Sequence, residues 1–183
     1  MIVNNREKNI LIVVDMQHDF VDGSLGTPEA QAIVSKVDDL IKSGNFDDVY
    51  YTFDTHYNNY DETLEGQKLP IKHCQFRSLG WSLATENLPI DDDHAIEKET
   101  FGFIEWGKVL PVGYFDEDPD IKSITIVGLC TDICVISNAL ILRAIFPNTP
   151  IICDASCCAG TTPEAHRAAL TVMKSCQIDV VNE

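Results

Sequence analysis

Apolar runs rich in Ile and Val recur along the chain, at Ile10 to Val14, Val49 to Phe53, Ile124 to Val127 and Ile151 to Cys153. They are too continuous for strands with one wet face; strands read this way when both faces are buried, as in a parallel sheet covered by helices. Between them lie segments whose apolar residues fall three and four apart, Ala30 to Lys42, Ile133 to Ile145 and Pro163 to Lys174. The alternation predicts a three-layer α/β/α architecture around a central, mostly parallel sheet. Short runs at Ala95 to Ile96 and Asp179 to Val181 bring the expected strands to about six. With no internal repeat and no linker-like tract, residues 1–183 read as one domain. The least regular stretch, Asp54 to about Asp93, is long enough to expect a functional loop.

In an open parallel sheet the ligand site lies beyond the carboxyl ends of the strands. Asp15 follows the first run, Asp54 and His56 the second, Lys98 the Ala95-Ile96 run, and Cys134 the Ile124 run after a short turn. Each also has a plainer reading. Asp15 caps a turn as readily as it acts as a base. Cys134 is either a buried structural thiol or, near a helix N-terminus, a thiol whose thiolate is stabilised. Lys98 is flanked by acids, as a solvated lysine would be; facing Asp15 and Cys134 it would instead stabilise carboxylate and thiolate. Asp54 and His56 lie on one side of an extended segment. With Glu65 and His73 downstream they make a mixed N/O metal set suited to Zn, Fe or Mn, or else structural histidines.

Charge narrows the partners. With 29 acidic residues against 13 basic ones the formal net charge is -16, so nucleic acid and anionic membrane surfaces are repelled. Met1 to Lys8 lacks the apolar core of a signal peptide and no window is long enough to span a bilayer, which leads us to expect a cytoplasmic protein. Seven cysteines in mostly apolar surroundings argue against a disulfide framework.

Five blocks in order resemble the isochorismatase-like cysteine hydrolases, and within them the nicotinamidase branch. They are Val13-Val14-Asp15-Met16-Gln17-His18-Asp19-Phe20, Asp54-Thr55-His56, Leu69-Pro70-Ile71-Lys72-His73-Cys74, Glu97-Lys98-Glu99-Thr100-Phe101-Gly102, and Val127-Gly128-Leu129-Cys130-Thr131-Asp132-Ile133-Cys134-Val135. The resemblance implies a catalytic set of Asp15, Lys98 and Cys134. It also implies a cis peptide between Leu129 and Cys130 and an oxyanion hole from the backbone N–H groups of Cys130 and Cys134. It further implies a divalent metal, Zn foremost with Fe or Mn as alternatives, on Asp54, His56, His73 and a loop glutamate, Glu65 or its rival Glu62. Phe20 matches an aromatic that stacks on a planar ring, whereas Trp81 and Trp106 are expected to pack. Two positions depart from the pattern: Arg77-Ser78 stands where Gly-Thr is frequent, and Leu69 where an aromatic is.

The activity so implied is hydrolysis of nicotinamide to nicotinate and ammonia through a cysteine thioester, a step of NAD salvage, by an enzyme that commonly self-associates. The nearest alternative is an amidase of the same family acting on a carbamoyl or ureido compound. The alternative from another class is a non-catalytic thiol or redox module.

Overall fold

The computed structural model describes residues 7–85, 93–110 and 121–183. Part of the Met1 to Lys8 segment and part of the Asp54 to Asp93 stretch therefore lie outside the described residues. Six strands form one sheet: β1 (Lys8–Val14), β2 (Asp48–Asp54), β3 (Ala95–Lys98), β4 (Ile121–Leu129), β5 (Ile151–Ala159) and β6 (Asp179–Val181). Their order is β3-β2-β1-β4-β5-β6 and every pairing is parallel. The expected strands are thus all present, and the central ones are buried on both faces: Ile10, Leu11, Ile12, Val14, Ile124 and Ile126 are wholly inaccessible.

The helices are α1 (His18–Val21), α2 (Pro28–Lys42), α3 (Leu64–Lys68), α4 (Trp106–Val109), α5 (Ile136–Ile145) and α6 (Pro163–Ser175). The three longest match the helical-period segments. Two of them start where capping chemistry allows: Thr27 and Thr162 each accept a hydrogen bond from the amide three residues on, and Pro follows at the first helical position. The third differs from expectation. The predicted helix from Ile133 begins as a wide π-type turn over Thr131–Val135, and regular α-helix starts only at Ile136. No helix among the described residues is long and apolar enough to cross a membrane.

From β1 the chain crosses to β2 on one side, whereas from β4 it crosses to β5 on the other, so the strand order reverses between the neighbours β1 and β4. Right-handed crossovers then put α2 on one face of the sheet and α5 and α6 on the opposite face, and they leave a crevice at the carboxyl ends of β1 and β4. Close approach at that edge depends on Gly128, whose φ of +116° suits glycine and where a Cβ would lie 2.1 Å from the Val14 carbonyl oxygen.

Candidate active site

Each strand end delivers one group. Asp15 follows β1 with φ of +46°, a left-handed conformation that Asp tolerates better than most residues. Its amide reaches the Thr52 carbonyl at 3.2 Å, and the Thr52 hydroxyl donates to Oδ1 at 2.6 Å. Register aligns Asp54 on β2 with Lys98 on β3. The Lys98 ammonium then lies 2.6 Å from Asp15 Oδ2 and 3.7 Å from Asp54 Oδ1. Lys98 is buried, so the solvated-lysine reading fails. Burial pulls its pKa down, but the carboxylates of Asp15 and Asp54, with Cys134 alongside, reverse the balance and hold it above the usual lysine value.

Cys134 sits in the wide turn after β4 and is buried. A lowered thiol pKa is one expectation for a cysteine near a helix start; the structure gives the opposite. Burial pushes the thiol well up, Lys98 pulls it down, and the carboxylates of Asp15 and Asp54 push it up again. The group at rest is therefore a thiol. Burial, opposed by Lys98, likewise raises the Asp15 carboxyl. Asp15 thus stands between the Lys98 ammonium, 2.6 Å from Oδ2, and the Cys134 thiol, with which it shares a hydrogen bond. The Leu129–Cys130 peptide is cis. Burial pushes the Cys130 thiol up to about 12, which leaves it a poor rival nucleophile.

Beside this set lies a second cluster. His56 Nε2 is 3.0 Å from Asp54 Oδ2 and 3.7 Å from Glu65 Oε1; His73 Nε2 is 3.4 Å and 3.6 Å from the same two atoms. A tetrahedral ion with bonds of about 2.0–2.1 Å separates its ligands by about 3.3–3.4 Å, inside that range. Three further observations fit a cation. His56 Nε2 is buried without an aligned hydrogen bond. His73 Nδ1 pairs with the Ile71 carbonyl at 2.9 Å, a contact that fixes the tautomer leaving Nε2 as the ligand atom. Finally, Asp15, Asp54 and Glu65 when ionised outnumber the Lys98 ammonium by two negative charges, the amount a divalent ion cancels. Asp54, His56 and His73 could hold a metal ion; Glu65 reaches the same histidines from α3, whereas Glu62 is exposed and no contact carries it there.

The loop that gathers these ligands is held by residues that sequence reasoning missed. The Gln17 side chain receives the Asp54 amide at 2.8 Å and donates to the Asp54 and Trp81 carbonyls, both at 2.9 Å. Asp19 Oδ2 accepts from the Cys74 amide at 2.7 Å, next to His73. His56 pairs through its backbone with Cys74 and Phe76, which carries residues 73–76 alongside it. Arg77, in the position where Gly is frequent, takes φ of +61° and lays its guanidinium over Phe76 at 4.8 Å. Trp106 is buried and Trp81 packs on Phe53 and Phe76, as expected. On the other side, buried Asn138 accepts from the Phe103 amide and Trp106 Nε1 at 2.9 Å and donates to the Cys134 carbonyl at 2.8 Å. All seven cysteines are free.

Both clusters open on one cavity of about 480 Å³, lined among others by Phe20, Asp54, Glu65, His73, Cys130 and Cys134. A buried carboxylate, ammonium and thiol thus lie together at the switch point of a parallel α/β sheet. The Isochorismatase domain matches residues 9–182, and the chain belongs to that family of hydrolases. Its fold is shared with a pyrazinamidase of Pyrococcus horikoshii solved in complex with zinc, at TM-score 0.71 and 24% identity over 96% of this chain and 99% of that one. A nicotinamidase from Bacillus subtilis gives 0.69 and 23% over 96% and 99%. PnC1 from L. infantum, solved with nicotinate, gives 0.74 and 18% over 96% and 93%. At such identities the likeness is one of fold. No curated protein matches the chain in sequence.

Proposed function

We propose that this chain is a nicotinamidase, hydrolysing nicotinamide to nicotinate and ammonia. The observation that carries the reading is that the Asp54, His56, Glu65 and His73 cluster adjoins the cavity onto which Cys134 opens. Asp15 Oδ2 takes the Cys134 proton as the sulfur attacks the amide carbon. Lys98 keeps Asp15 ionised beforehand and offsets the negative charge that passes to the tetrahedral oxyanion. The backbone N–H groups of Cys130 and Cys134 receive that oxygen; removing one such donor typically costs about 10²–10³ in rate. Asp15 then returns the proton to the departing nitrogen, and water hydrolyses the thioester. Asp54, His56, His73 and Glu65 would hold a divalent ion, Zn first with Fe or Mn as alternatives, which would supply a Lewis-acidic centre for the pyridine nitrogen. Phe20, buried against the His73 ring at a centroid distance of 5.5 Å, offers the ring a wall.

The test is ammonia release from nicotinamide with and without prior chelation, using Cys134→Ala as the blank. Chelator-sensitive release supports the reading. Absence of release after Zn, Fe or Mn is restored overturns it and directs the search to carbamoyl and ureido amides.

A further inference from the structure

The cavity is larger than nicotinamide needs. Its nine non-hydrogen atoms fill on the order of 180 Å³ at interior packing density, against about 480 Å³ enclosed. Strand order says where the surplus lies. Along the edge of the sheet the groups follow β2, β1, β4 and β5: the Asp54 cluster, then Asp15, then Cys134, then Gly160 and Thr161. A ring nitrogen at the β2 end and a carbonyl carbon at Cys134 occupy the first part only. The same cavity is lined by Leu25, Thr27 and Ala30 around the start of α2 and by Gly160 and Thr161 after β5, and we call this part of its wall, on the β5 side of Cys134, the arm.

The side-chain oxygens of that arm are already engaged. Thr27 Oγ1 accepts from the Ala30 amide at 3.0 Å; the Thr161 hydroxyl and amide donate to Asp132 at 2.6 Å and 2.8 Å. What remains toward the cavity is apolar surface; with the ring toward the Asp54 cluster and the carbonyl oxygen on the Cys130 and Cys134 N–H groups, the amine is the carbonyl substituent left to face it. Resting on the reading above, we propose that this arm receives an apolar substituent on the leaving nitrogen. The enzyme then cleaves small N-alkyl pyridine-3-carboxamides as well as the primary amide. The chemistry balances as before: the Cys134 sulfur bonds to the carbonyl carbon, its proton passes through Asp15 to nitrogen, the C–N bond breaks to release the alkylamine, and water converts the thioester to carboxylate and free thiol.

The experiment compares kcat/KM for the parent amide with its N-methyl, N-ethyl and N-propyl derivatives on the metal-loaded enzyme, read by amine release. KM is expected to fall about three- to fourfold per added methylene until the arm is full. Ala30→Leu, with Leu25→Phe as a second variant should the first fold poorly, is expected to lower kcat/KM for the N-propyl amide at least tenfold relative to the parent. Turnover of the parent with the N-alkyl amides a thousandfold slower overturns the proposal and leaves the arm to solvent. Equal losses on all substrates in both variants overturn it too. No turnover of any of the four with metal restored overturns the reading of the whole site.

Discussion

The two ends of the cavity are built in different ways. The Cys134 end rests on the sheet: Asp15 and Cys134 follow adjacent central strands, and their surroundings are almost wholly buried. The ligand end draws Asp54 from a strand but Glu65 and His73 from a loop of short turns and one five-residue helix. That loop is held by side chains reaching backbone groups far away in sequence, Gln17 on Asp54 and Asp19 on Cys74. On the proposed function, chemistry that must stay aligned would be anchored in parallel strands, and chemistry that selects a ligand would hang on a loop that can vary without disturbing the sheet.

The largest effect should come from setting one end against the other. Cys134→Ala is expected to lower kcat by about 10⁴-fold or more while metal content and melting temperature stay unchanged. His56→Ala should lose the metal and about 10²-fold or more of kcat/KM, through a misplaced ring, yet leave Cys134 open to alkylation. Metal analysis and thiol labelling of both variants check the pair; lost metal in Cys134→Ala would mean that the ends are one unit.

Lys98→Met strips the buried carboxylates of their partner. The metal-free variant should lose about 3–5 kcal/mol of stability by urea unfolding, and a loss below 1 kcal/mol would show that Asp15 and Asp54 are not jointly ionised. Gln17→Ala removes hydrogen bonds to three backbone groups. It should cost about 1–3 kcal/mol and lower metal affinity more than the reactivity of Cys134. Equal losses would erase the distinction between strand-built and loop-built ends.

The smallest effect is in pH. Burial raises the Asp15 carboxyl, so its base form is lost as pH falls through a value above the ordinary 3.8. The acid limb of kcat/KM, with metal saturating, should therefore lie above that value. Thr52→Val, which removes a hydrogen bond that favours the ionised form, should move the limb higher. A limb that stays in place would separate Asp15 from the rate.

The strands were legible because strands buried on both faces must be apolar throughout, and strand ends then located Asp15, Asp54 and Lys98. Residues acting through distant backbone were not legible. Gln17 meets Asp54 across 37 positions and Asn138 meets Phe103 across 35, with no local periodicity to announce either. The state of the thiol was left open between buried and stabilised for a related reason: a helix start is visible in sequence, but the burial that outweighs it depends on the whole fold. Glu65 was separable from Glu62 only once α3 turned it toward the histidines.

Asp54 presents one carboxylate oxygen to the histidines and the other toward the ammonium of Lys98. Affinity for a cation at one end and proton affinity at the other are therefore linked quantities. A bound cation draws on charge that Lys98 would otherwise share, and by thermodynamic reciprocity any proton gained or lost by the Asp15–Cys134 pair returns as a change in cation affinity. Substitutions that tighten cation binding through Asp54 will consequently retune the nucleophile, so evolution or an engineer adjusting either property must move both.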